Sequence, residues 1–526
     1  MFRLLRPILL LLALSVCSSS QETHEHPAPE RLGKVHFPTS CKTAVQAQFD
    51  RAVALLHSFA YRAAENAFKT VVQTDPQCAI AHWGIAMTYF HQLWDPPLVV
   101  ASIQLGQNEL RAANRMRVSP REREFIDALS LIYNDAPALP YRTRAANYEQ
   151  AMKAIAAKNK GDVESQVFYA LALLGNASPS DKTHARQKEA AEILQTCCGP
   201  ALDHPGVPHY LIHAYDNAEL ASRGVTAARM YSRIAPSAPH ALHMPSHIFT
   251  RLGLWEDSIR SNLAARDAAH GQGDLGEELH AMDYLVYAYL QAGRDEDALR
   301  VVQQLKTMPR LSVPELKVSY AATAMPIRYI VEGSKWEEAA RLEPPTGVPP
   351  QVEAIAVWAR GLGLARLGST KARAEAEKLQ QIEAQLRSAG NDYWAIQTGI
   401  LGREVNAWSA QADNNPEQAA KLMRQAADEE DALEKLPLTP GPIVPAREQL
   451  GDLLLLQNRN DLALVEFDAA LANAPGRRAA LRGRAAATRQ PRARNGCNLK
   501  TCTPQSGAAS VPDLSTSLFI SQVWGL

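Results

Sequence analysis

Residues 445–475 read Pro445-Ala-Arg-Glu-Gln-Leu-Gly-Asp-Leu-Leu-Leu-Leu456, then Gln-Asn-Arg459, then Asn460-Asp-Leu-Ala-Leu-Val-Glu-Phe-Asp-Ala-Ala-Leu-Ala-Asn-Ala-Pro475. Two stretches of helical periodicity flank a short polar turn, so the segment reads as a helical hairpin. Gly451 and Ala463 are small enough to let the two helices approach closely, and Phe467 fills the space between this hairpin and its neighbours. Pro475 ends the second helix, because it lacks the N–H that would continue it.

The marker residues Leu450, Gly451, Leu454, Ala463, Phe467, Ala470 and Pro475 have a second occurrence. Residues 45–76 carry Ala52, Leu55, Ala64, Phe68, Val71 and Pro76 in the same frame. This spacing resembles the tetratricopeptide repeat (TPR), and the resemblance runs from about Val45 to Arg489, loosest in the middle. It implies an all-α protein, an α-solenoid of about ten stacked antiparallel helix pairs, with a concave groove lined by the first helix of each pair. The stretches His209–Asp216, Pro239–Phe249 and His280–Tyr287 are similar to a group of exported bacterial TPR proteins. That likeness implies architecture and compartment only.

Composition agrees. The 526 residues are 46% hydrophobic, 21% charged and only 6% aromatic, which suits helices better than a β-sandwich or barrel. Lys+Arg and Asp+Glu both number 55, so no overall basic field attracts nucleic acid. The Arg-rich run from Arg477 to Arg494 lacks interleaved aromatics for base stacking and reads as a solvated face. The chain divides into a signal peptide (1–20), a linker (21–44), the helical solenoid (45–488) and an irregular tail (489–526). Arg3 and Arg6, an apolar run from Ile8 to Leu14 and small residues Ser18–Ser20 have the order of a secretory signal. The mature protein is therefore expected in the periplasm or secreted. A lipid anchor at Cys17 is the other reading, and membrane contact is expected only through these features. In an oxidising compartment Cys41 and Cys78, each just before the first helix of a repeat, can form a disulfide.

No phosphate-cradling loop, dinucleotide fingerprint, metalloprotease helix or serine-hydrolase elbow occurs, so a binding role is favoured over catalysis and no organic cofactor is expected. The histidines carry the remaining signal. Aligning three successive repeats places His209, His240 and His280 at the second position of the first helix. Ile212, His243 and Asp283 fall at the fifth, and Asp216, His247 and Tyr287 at the ninth. These positions share one helix face. His57 and His91 border the same groove at the thirteenth position, Trp83 takes the fifth position of the second repeat, and Arg251 follows the cluster. The groove is thus expected to bind a protein or peptide through His, Asp and aromatic side chains. The rival is a metal site, for zinc or another divalent transition metal, built on His240, His243 and His247 at i, i+3 and i+7. Asp216, Asp283, His209 or His280 would complete it. Pro245 is expected to kink the helix between His243 and His247, and His213 to pack inside its repeat.

Overall fold

The structure, a computed structural model, describes residues 30–489 except 94–97, 135, 137, 198–202, 310 and 312. The expected signal segment, Cys17 and the tail beyond 489 lie outside the described residues. Within them every regular element is helical, and none is a strand. Among the described residues, no helix is long and apolar enough to cross a membrane.

Helices pair in sequence order as antiparallel hairpins, from Gln46–His57 with Tyr61–Thr74 to Ala446–Leu456 with Asn460–Asn473, and Arg478–Ala487 follows alone. Among the described residues, eleven such pairs precede Arg478–Ala487; the eighth has shrunk to Leu316–Glu332 with Trp336–Ala339. The turn inside many hairpins is the same. One residue turns left-handed just past the first helix: Phe59, Gly253, Gly293, Ser334, Gly368, Asn414 or Asn458. The N–H one residue further on then reaches back to a carbonyl five residues earlier, as in Ala60 to Leu55, Leu254 to Phe249, Arg294 to Tyr289 and Arg459 to Leu454. This Schellman closure satisfies the last carbonyls of the first helix and sets the hairpin angle. The recurrence identifies the array as TPR-like from its own geometry.

The seams follow the expected marker residues. A Cβ on Gly451 would lie 2.7 Å from the Phe467 ring, and one on Gly483 of the last helix 2.2 Å from it. In the second frame Gly84 meets Phe68 in the same way. One aromatic ring therefore fills the space that two glycines leave open.

The expected linker contributes Leu32 and Phe37 to the core, and most of its other described residues are exposed. Residues 30–42 run extended across the first repeats, and Phe37 is fully buried against Phe49, Trp83 and Phe125. Cys41 and Cys78 are joined in a disulfide with Cα atoms 4.9 Å apart.

The array curls until its late repeats touch its middle. Trp255 Nε1 donates to the carbonyl of Gly476 at 3.3 Å. Arg477 is fully buried, bidentate on Glu448 at 2.8 and 3.0 Å and 2.9 Å from Glu332. This corrects the reading of Arg477 as part of a solvated basic face. The loop 432–445 reaches the middle repeats too, where Lys435 meets Asp216, Glu434 meets Arg251 and the Thr439 carbonyl accepts from Tyr284.

Candidate metal centre

The middle repeats bring six histidines together. His209 and His213 stand one turn apart on Gly206–Tyr215, and His240 and His243 lie on Pro239–His243. His247 lies on Pro245–Arg251 and His280 on Leu275–Gln291. Pro245 does interrupt the helix, which breaks at Met244. The break leaves His243 Nε2 and His247 Nε2 only 3.0 Å apart, so the expected kink does not separate them.

The expected set of His240, His243 and His247 is re-sorted. His240 turns away from His243 and joins His209 and His213; its Nε2 lies 3.2 Å from His209 Nε2, which lies 3.1 Å from His213 Nε2. His243 and His247 group with His280 instead, whose ring centroid is 4.3 Å from that of His243. In each triad one ring nitrogen per residue lies within 4.8 Å of the others. His213 is thus part of the cluster, not of the repeat interior.

The tautomers of four rings are fixed by what their other nitrogen touches. His209 Nδ1 is 2.6 Å from the carbonyl oxygen of His57, which can only accept. His240 Nδ1 faces Glu277 at 3.2 Å. Burial alone would raise the Glu277 carboxyl, but Lys317 and His240 outweigh it and hold it below the usual carboxylate range. His243 Nδ1 is 2.6 Å from Asn262 Oδ1; the amide cannot be flipped, because Asn262 Nδ2 donates to the Ser258 carbonyl at 2.8 Å. His247 Nδ1 donates to Asp216 Oδ2 at 2.8 Å. Burial would raise Asp216 too, yet Lys435, Arg251 and the His247 N–H keep it well below its ordinary value. All four Nδ1 atoms therefore carry a proton, and in the neutral pair His243 and His247 the facing Nε2 atoms present lone pairs to each other at 3.0 Å.

Two like lone pairs at that separation repel unless a cation lies between or beside them. Burial, then neighbouring imidazoles, push His209, His213, His243 and His280 well below the usual histidine range. Burial takes His247 down to about 4 against the opposing pull of Asp216. Each N–H set by an acceptor behind the ring is also the arrangement that orients a metal-ligating imidazole.

A third group, His57, Glu164 and His204, shows the contrast. His57 Nε2 and His204 Nε2 each lie 2.9 Å from a different oxygen of Glu164. Tyr210 OH meets His57 Nδ1 at 2.9 Å, and the Gly206 N–H donates to His204 Nδ1 at 3.1 Å. Every donor there has an acceptor, so His57 belongs to a closed structural network.

The open groove expected over these residues is instead enclosed. His209, His243 and His247 have no solvent exposure: Phe59 and Tyr231 pack on His209, and Tyr284 packs on His243 and His247. Lys435 Nζ and Arg251 Nε reach Asp216 at 2.7 and 2.9 Å, Arg251 also meets Glu434 at 3.4 Å, and Tyr284 OH donates to the Thr439 carbonyl at 3.1 Å. Asp216 stands behind a ligand instead of in the cluster. Asp283 lies one turn beyond His280 and faces Arg328 at 3.5 Å, and burial raises its carboxyl against the pull of that guanidinium. Tyr287 packs on Trp255 and meets Arg477 Nη1 at 3.3 Å. Trp83 is buried among Phe37, Phe125 and Phe168, and His91 stacks on Tyr61 at 4.1 Å while bonding the Thr88 carbonyl. The helix positions placed these three on a groove, but neighbouring helices already cover Tyr287 and Trp83, and His91 is half-buried.

The chain is an all-α solenoid of TPR-like hairpins with a buried histidine cluster in its middle repeats. No family model matches it. No curated protein matches it either. Solved structures with similar helix stacking include yeast Tom70, 10% identical over 84% of this chain and 88% of that one, with a TM-score of 0.34. The TPR domain of P58(IPK) is 13% identical over 85% of this chain and 97% of its own, with a TM-score of 0.22. At such scores the likeness adds nothing to what the helix pairs themselves display.

Proposed function

We propose that this protein binds a transition metal in the buried histidine cluster. The observation that carries the reading is that His243 Nε2 and His247 Nε2 face each other at 3.0 Å, each with its Nδ1 committed behind it, to Asn262 and to Asp216. Zinc–imidazole bonds of about 2.0–2.1 Å place tetrahedral donors roughly 3.3–3.4 Å apart, close to the separations here. Imidazole donors without sulfur suit Zn²⁺, Cu²⁺ or Ni²⁺ over Mg²⁺ or Ca²⁺. The rival occupant is a proton shared within the pair. Elemental analysis of untagged protein, as isolated and after dialysis against Zn²⁺, separates them. Bound metal that is lost in His243→Ala supports the reading; protein that takes up none contradicts it.

We also propose that the mature chain is exported. The signal-like order of residues 1–20 and the Cys41–Cys78 pairing support this. Mass spectrometry of the mature N-terminus tests it: cleavage near Ser18–Ser20 or a lipid on Cys17 fits, and an intact Met1 does not.

Protein or peptide binding, the other role expected of such an array, we place on its solvent-facing surface, since the cluster is enclosed. A partner captured equally by wild type and His243→Ala would fit that separation, and loss of capture in the variant would contradict it.

A further inference from the structure

The two triads are built alike. In the first, His209 and His213 stand at i and i+4 on one helix, and His240 comes from the next repeat. In the second, His243 and His247 stand at i and i+4, and His280 again comes from the next repeat. The segment 239–251 therefore gives the third ligand to one group and the i, i+4 pair to the other. Residues at i and i+4 on one helix share a face one turn apart, as His209 and His213 do; His243 and His247 keep that spacing across the break at Met244, with Nε2 atoms 3.0 Å apart. The third closes the set across a seam between repeats.

The groups adjoin without merging. Within each triad the donor nitrogens all lie within 4.8 Å of one another, and no histidine belongs to both sets. Each group also has its own anchors: the His57 carbonyl and Glu277 for the first, Asn262 and Asp216 for the second.

Resting on the metal-binding reading above, we infer that the cluster is a two-ion centre. One divalent transition-metal ion sits in His209/His213/His240 and a second in His243/His247/His280, each held by three imidazoles. Three protein ligands leave each ion a coordination position for water or a small exogenous ligand, unlike a closed four-ligand structural site. The pair would also staple three consecutive repeats together, the first ion across one seam and the second across the next.

Cobalt(II) is a suitable probe, because its d–d absorption reports coordination directly. Chelator-stripped, untagged full-length protein is titrated with Co²⁺ alongside His213→Gln and His280→Gln, with circular dichroism checking the fold of each. Wild type is expected to bind two ions per chain, and each variant is expected to lose one and keep the other. A single ion per chain in wild type, removed by either substitution, would overturn the two-ion centre while leaving metal binding intact. No bound cobalt in wild type would remove both readings. The wild-type stoichiometry decides the matter even where a variant fails to fold.

Discussion

Lys435 Nζ lies 2.7 Å from Asp216 Oδ2, the same oxygen that accepts the His247 Nδ1 proton. The two residues are 219 positions apart. Burial pushes the lysine down to about 8 against the pull of Asp216, so the ammonium is held there by its carboxylate partner. The loop 432–445 is thereby tied to the group standing directly behind a histidine of the cluster. Asp216→Asn is expected to weaken metal affinity by roughly 10–100-fold, as loss of an outer-shell partner does. Lys435→Met is expected to loosen the loop, seen as faster hydrogen exchange over 432–445 by mass spectrometry. Unchanged exchange in Lys435→Met would mean that Tyr284 and the other contacts hold the loop by themselves.

The helix seams give a second expectation. Gly451 and Gly483 face the same Phe467 ring, and either Cβ would come within 2.7 Å of it. Gly451→Leu should overpack the seam at a cost of about 1–3 kcal/mol, whereas exposed positions on the same helices should tolerate leucine. Thermal melting of Gly451→Leu beside Asp461→Leu measures the difference, and equal melting temperatures would contradict the seam.

These seams were legible because a TPR-like frame depends on residue size at fixed spacing, and Gly451, Ala463 and Phe467 carry that signal locally. The histidine faces were legible for the same reason: helical spacing put His209, His240, His243, His247 and His280 near one another. Which histidines meet was not legible. Rotation of His240 toward His209 is set by Glu277 and by neighbouring rings, and no period in the sequence encodes that rotation. His213 was misplaced because it fell outside the expected groove positions. Lys435 and Arg477 reach the middle repeats only through the curl of the whole array, which sums small rotations over many hairpins.

The Cys41–Cys78 bridge closes a separation of 37 residues and ties the first repeat to the second. Cys41→Ala with Cys78→Ala is expected to destabilise the N-terminal repeats by up to about 3–4 kcal/mol on the chain-entropy model. Limited proteolysis of the double variant should begin in residues 30–78. An unchanged pattern would mean that the Phe37 core alone secures this end.

Stability should also fall on the alkaline side. Glu430 is buried and its carboxyl is pushed up to about 8, first by burial and further by Asp431, against an ordinary value of 4.5. The folded state thus holds a proton that the unfolded chain has released between those values. The associated stability is fully present below pH 4.5, declines as pH rises, and is lost by about pH 8. Urea denaturation at pH 6 and 8.5 should show the decline, and Glu430→Gln should reduce it. A variant with the wild-type slope would assign the decline to another buried carboxyl, such as Glu404.

The most direct measurement is anomalous diffraction from crystals of the zinc-loaded protein, recorded on both sides of the zinc absorption edge. The account predicts two anomalous peaks inside the cluster, one bounded by His209, His213 and His240 and the other by His243, His247 and His280. Difference maps with no peak between these imidazoles, from crystals that bind zinc elsewhere, would contradict it.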